Sequence, residues 1–237
     1  MISSDVFSIQ DLLSRKIASA LNVRVEAHER TNALTKPPTN LNAYDYYLRG
    51  RQLERSYDHQ ERARARGMFN AAIEADPLYA RGYLGLAWFE IRALKWAETS
   101  EMEAILARAL SAASRAMELD SNDPDCHWLM GLIHLWRRDH AKSISCYERA
   151  RAMNPNQPDL LADMADMFTY AGRSEEAIEL ATLACELNPN PPDWYYWNIA
   201  AAHFLIGRYE DSLNHLQRMA QPGPAHRLFA ANYAKPI

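Results

Sequence analysis

The chain has 237 residues, of which 48% are hydrophobic and 24% charged, with only eight glycines. That profile fits a soluble helical protein long enough to bury a core. Its net charge of -4 and pI near 6.1 exclude a global basic field for nucleic acid or an anionic membrane. No run of 18 apolar residues occurs, and the N-terminus lacks a charged leader followed by an apolar block. Neither a transmembrane segment nor a signal peptide is expected. The three cysteines, Cys126, Cys146 and Cys185, have no CxxC spacing, which reads as free thiols in a reducing cytoplasm.

After a frayed start, Ser8-Ile9-Gln10-Asp11 has the form of a capping box, with the serine capping and the acid three residues on. Ile9, Leu12, Leu13, Ile17, Ala20 and Leu21 follow at helical spacing, which predicts an amphipathic helix over about 9–22. This helix is expected to dock on the first repeat or to pair with a second copy of the chain. Residues 31–41 contain Pro37-Pro38 and read as a linker. The expected division is therefore 1–41, helix and linker, and 42–237, a repeat domain.

Within 42–237 a pattern recurs. At a spacing of 34, His127, Met130, Gly131, His134, Ser143, Tyr147, Ala150 and Pro155 fall opposite Leu161, Met164, Ala165, Phe168, Ala177, Ala181, Ala184 and Pro189. Gly131 and Ala165 belong where two helices cross closely, and Pro155 and Pro189 stop the second helix of each pair. Gly172 suits the left-handed residue that closes a first helix. Tyr46, Gly50, Leu53, Ala65, Phe69, Ala72 and Pro77 give an earlier unit, with three extra residues at a turn over 57–60. Tyr83, Leu86, Ala87, Ala109, Ala113, Ala116 and Ser121 give the next. Its ten extra residues are expected to lengthen the first helix through about Glu98, with a capped restart near Ser100-Glu101. Tyr196, Ile199, Ala200, His203, Gly207, Ser212, Leu216, Met219 and Pro224 complete a fifth, and residues 225–234 read as a closing helix.

This spacing resembles that of the tetratricopeptide repeat family. The resemblance implies an all-α, right-handed solenoid of about five helical hairpins, preceded by the N-terminal amphipathic helix. A narrower likeness lies in residues 5–13, 17–21 and 41–51, including Phe7-Ser8-Ile9-Gln10-Asp11 and Ala43-Tyr44-Asp45-Tyr46-Tyr47-Leu48-Arg49-Gly50-Arg51. It is similar to the junction of large bacterial regulators in which a TolB-like domain passes into C-terminal tetratricopeptide repeats. The effector in such proteins is commonly a class III adenylate/guanylate cyclase domain, or else a winged-helix DNA-binding domain. The resemblance implies a non-catalytic regulatory module for this chain, with a constitutive assembly scaffold as a reading of another class.

The repeat register of that family also implies which side chains line a concave groove for a protein or peptide. They are Tyr47, Arg51, Arg81, Trp88, Arg92, Trp128, Trp136, Asp166, Tyr170 and Trp197. Tryptophan and arginine are frequent binding hot spots. Lysine and asparagine of the carboxylate-clamp type are missing from these positions. No catalytic, cofactor or metal residues are expected: His134 and His203 occupy an aromatic packing slot, and no histidine has ligand spacing. Asp159, Asp163 and Asp166 share one helix face and read as a solvated or partner-facing surface. The arginines Arg62, Arg64 and Arg66 also read as a solvated face, since an RNA reader would need such residues in every repeat.

Overall fold

The computed structural model describes residues 42–54, 59–94, 97–221 and 223–234, together with Leu13 and Ile17. Those two are helical and exposed; the remainder of the expected helix over 9–22, and the linker over 31–41, lie outside the described residues. Eleven α-helices and no strand occur among the described residues. They form five consecutive hairpins and a closing helix. These are α1 (Ala43–Glu54) with α2 (His59–Ala75), α3 (Ala80–Ala93) with α4 (Met102–Leu119), and α5 (Pro124–Trp136) with α6 (His140–Met153). Next come α7 (Pro158–Tyr170) with α8 (Ser174–Leu187) and α9 (Asp193–Leu205) with α10 (Tyr209–Leu216); a 3-10 turn (Gly223–Ala225) leads into α11 (His226–Tyr233). They gather into two compact units, one within residues 23–150 and one over 151–237, the division falling inside α6.

Local chemistry sets the helix ends. The Asn42 carboxamide accepts from the Asp45 amide at 3.0 Å, and the Asp123 carboxylate accepts from the Asp125 amide at 3.0 Å. Both supply an acceptor to amides that have none within the helix. Pro124 and Pro158 occupy first-turn positions, where the missing N–H costs nothing. Three first helices close the same way: Asp139, Arg173 and Arg208 donate their amides to His134, Phe168 and His203 at 2.8–2.9 Å. This closure needs one left-handed residue. Gly172 (φ 77°) and Gly207 (φ 79°) supply it, while Arg138 (φ 61°) adopts it without being a glycine.

The expected lengthening of α3 does not occur. The helix stops at Ala93, and the extra residues turn back through the Ala97 amide on the Leu94 carbonyl and the Glu101 amide on the Glu98 carbonyl. Leu94, at the end of the helix, is buried. The restart is at Met102, with Glu101 at the cap position but no side-chain cap bond.

In the first unit, the core is built on close helix approach. A methyl group at Gly50 would meet the Phe69 ring at 2.5 Å, one at Gly85 would also strike that ring, and one at Gly131 would meet Tyr147 at 2.8 Å. Phe69 and Tyr147 are fully buried. Ser143 adds a hydroxyl donated to the Gly131 carbonyl at 2.8 Å. In the second unit the matching slots are alanines, Ala165, Ala177, Ala181 and Ala184, all essentially without exposure. Beyond them, Asp193 accepts the Ala220 and Gln221 amides and so seats the segment leading to α11.

The α5–α6 crossing generates a stability prediction. Gly131→Leu drives a side chain into the Tyr147 ring and is expected to cost at least about 1–3 kcal/mol, the usual penalty of overpacking. Urea unfolding should show a lowered midpoint; an unchanged curve would contradict this crossing.

Candidate functional site

The first helices of the hairpins carry the residues expected to meet a partner, and packing has engaged many of them. In the first unit, Tyr47 on α1 is buried among Phe69 and Tyr79 and accepts from the Arg51 guanidinium at 2.9 Å. Arg51 also lies 3.6 Å from Glu54. Glu54 is buried, and Arg92 reaches it from α3 at 3.0 Å while its guanidinium sits 5.6 Å over the Trp88 ring. Neither Glu54 oxygen has hydrogen-bond geometry, so this pairing is electrostatic. Trp88 and Trp128 are buried and meet edge to face, with centroids 4.9 Å apart. Aromatic pairs favour that arrangement; it joins α3 to α5 through their side chains.

Arg81 is engaged as well. Its guanidinium lies 3.0 Å from the buried Asp123 and 3.8 Å from Asp125, both at the start of α5. One arginine thereby neutralises the carboxylate that caps the next hairpin. Glu90, also buried, holds Arg66 at 3.2 Å and Arg108 at 2.9 Å. Arg66 is half-exposed and tied to the core acid, so this part of the arginine run has a structural task that spacing alone did not reveal. Trp136, at the end of α5, is 40% exposed.

The second unit is different in charge. Asp159, Asp163 and Asp166 follow one another on α7 at spacings of four and three, and Tyr170 extends the line. The Tyr195 hydroxyl on α9 donates to Asp159, and burial together with the Asp159 charge holds that phenol well above its usual pKa. Asn198 donates to the Ala162 carbonyl at 2.8 Å. Asp166 has no hydrogen bond or ion pair among the described residues, and burial pushes its carboxyl up to about 6. Tyr170 is 67% exposed, and the charge of Asp166 raises its phenol. Trp197 is half-buried against Ala200, Leu216, Met219 and Ala225, so it serves the packing of the last hairpin.

The histidines sit where packing needs rings. His134 is lowered by burial. His203 stacks on His215 at 5.5 Å, and burial lowers both. The thiols of Cys126, Cys146 and Cys185 are all raised by burial, Cys126 to about 12 and Cys185 to about 11. Protonated at neutral pH, they behave as small apolar groups.

No protein-family model matches the chain. Among solved structures it is similar to a thermophilic tetratricopeptide protein of Thermus thermophilus, with a TM-score of 0.61 at 20% identity over 81% of this chain and 97% of that one. It is also similar to the Cut9–Hcn1 assembly of the APC/C, with a TM-score of 0.68 at 16% identity over 94% of this chain and 41% of that one. The fold is that of a tetratricopeptide repeat protein. YrrB, described as such a protein with an unusual peptide-binding site, superposes at a TM-score of 0.51 and 18% identity over 83% of this chain and 93% of its own. In sequence, the chain is 28% identical over 134 residues to "Putative adenylate cyclase 3" of Rhizobium meliloti (strain 1021). That match spans 56% of this chain and 23% of the relative. Among the described residues, no helix is long and apolar enough to cross a membrane.

The unpaired carboxylate on α7 gives a pH prediction. Folding raises the Asp166 value from 3.8 to about 6, so the folded chain holds this proton more tightly than the unfolded chain. The stability it contributes is present below the unfolded value and lost as pH rises through about 6. Asp166→Asn should therefore be more stable than the parent at pH 7 by about 1–3 kcal/mol, with the gap narrowing toward pH 4. Denaturation at the two pH values measures it; a less stable variant at pH 7 would contradict the assignment.

Proposed function

We propose that the chain is a non-catalytic, cytoplasmic protein-binding module, the C-terminal repeat region of a cyclase-type signalling protein, with residues 1–41 as a leading segment and 42–237 as the repeat domain. The observation that carries the binding reading is the contrast among the aromatic residues of the first helices. Tyr47, Trp88 and Trp128 are consumed by packing, whereas Trp136 and Tyr170 remain exposed at the ends of α5 and α7. Large exposed aromatics offer area at low entropic cost and are frequent anchors. The cyclase reading draws its support from the partial match to the Rhizobium meliloti protein and from the junction-like residues 5–13, 17–21 and 41–51. On this reading Arg81 and Arg92 act as organisers of the surface through Asp123 and Glu54, and the anchors are Trp136 and Tyr170.

A binding experiment tests it. The purified chain, Trp136→Ala and Glu176→Ala are immobilised and challenged with source cytosol, and captured proteins are identified by mass spectrometry. A truncated anchor should lose about 2 kcal/mol of binding or more. Trp136→Ala should therefore lose the captured partner while Glu176→Ala retains it, with both variants folded by circular dichroism. Equal capture by all three would remove Trp136 as an anchor.

A further inference from the structure

The second unit carries a carboxylate that the fold does not answer. Two bonds fix how α9 lies along α7: Tyr195 donates to Asp159, and Asn198 donates to the Ala162 carbonyl. Both pairs are 36 residues apart. The same offset puts Ala202 in register with Asp166 and Ile206 in register with Tyr170. Ala162 and Ala202 are both fully buried, so the flanks of Asp166 are low. At the far end of the line, Tyr170, Leu205 and Ile206 are exposed at 67%, 61% and 37%.

Two arginines of the same unit are engaged with other acids. Arg208 makes two hydrogen bonds to Glu175, at 3.0 and 2.6 Å. Arg173 makes two to Glu176 and lies 3.9 Å over the Phe168 ring. Asp159 is occupied by Tyr195. Asp166 thus stands partly buried, between two alanines, with an apolar rim on one side. A carboxylate that burial disfavours and no cation answers is stabilised when a ligand supplies the missing charge. The neighbouring acids Asp159 and Asp163 add negative potential and repel an anionic ligand.

Resting on the protein-binding reading, we propose that Asp166 receives the lysine or arginine side chain of a partner segment, whose adjacent apolar residue packs on Tyr170, Leu205 and Ile206. The long aliphatic stem of such a side chain suits low alanine flanks, with the cation reaching the carboxylate beyond them. The occupant is a basic peptide segment, because charge complementarity selects a cation and the apolar rim selects a side chain next to it.

The test selects a random dodecapeptide display library on the full chain. The strongest peptide is then measured by fluorescence anisotropy against the parent and Asp166→Asn. The expected result is a fixed lysine or arginine beside an apolar residue. Replacing that cation by norleucine, or Asp166 by asparagine, should each weaken binding about tenfold or more, and the two changes together should weaken it little further. Asp166→Asn is expected to remain folded, so lost affinity would not reflect unfolding. Selected peptides without a fixed basic position, or with equal affinity for Asp166→Asn, would overturn this inference and leave the binding-module reading standing. A library that yields no binder would overturn both.

Discussion

The close approach of paired helices is the constraint on which the hairpins of the first unit depend. Phe69 fits only because Gly50 on one side and Gly85 on the other present no Cβ to its ring. One aromatic residue thereby closes its own hairpin and seats the next. Gly131 and Tyr147 repeat the solution two hairpins along. The second unit reaches the same end with alanine, as Ala165, Ala177, Ala181 and Ala184 show. Large aromatics need glycine opposite them, whereas smaller fillers tolerate a methyl group, because interiors pack near crystal density and neither arrangement leaves room to spare.

That geometry also decides what the surface has left to offer. Helices that lie close together, within a hairpin and between hairpins, bring their polar residues within reach of one another. In the first unit this pairs Glu54 with Arg92, Glu90 with Arg66 and Arg108, and Asp123 with Arg81. Each acid is buried and each arginine is only partly so. Removing one partner from such a pair would strand a buried charge, which costs far more than an exposed pair contributes. Asp166 is the exception: the neighbouring helix offers it alanine where the first unit would offer arginine. On the proposed reading, the contrast between answered acids and an unanswered one separates organising residues from candidate binding residues.

The hairpins were legible in the sequence because their constraint is periodic and local. Gly131, Tyr147, Ala150 and Gly172 declare themselves by size at fixed spacing, and the structure places them as that spacing requires. Less legible was the loop after α3, because no glycine or proline marks the place where the helix ends. The left-handed Arg138 was hidden for the same reason: its conformation follows from the hairpin closure and not from its own preference. Register alone could put Trp88, Trp128, Arg81 and Arg92 on first helices. It could not tell that partners about forty residues away in sequence pair with them. Long-range pairing of side chains leaves no short-range signal.

A double-mutant cycle at Gly85 and Phe69 tests the packing constraint most directly. Urea unfolding is measured for the parent, Gly85→Ala, Phe69→Leu and the double variant. If the glycine exists to admit the ring, Gly85→Ala should cost about 1–3 kcal/mol alone and much less once Phe69 is leucine, giving a coupling of about 1 kcal/mol or more. Additive losses, with no coupling between the two positions, would contradict the account.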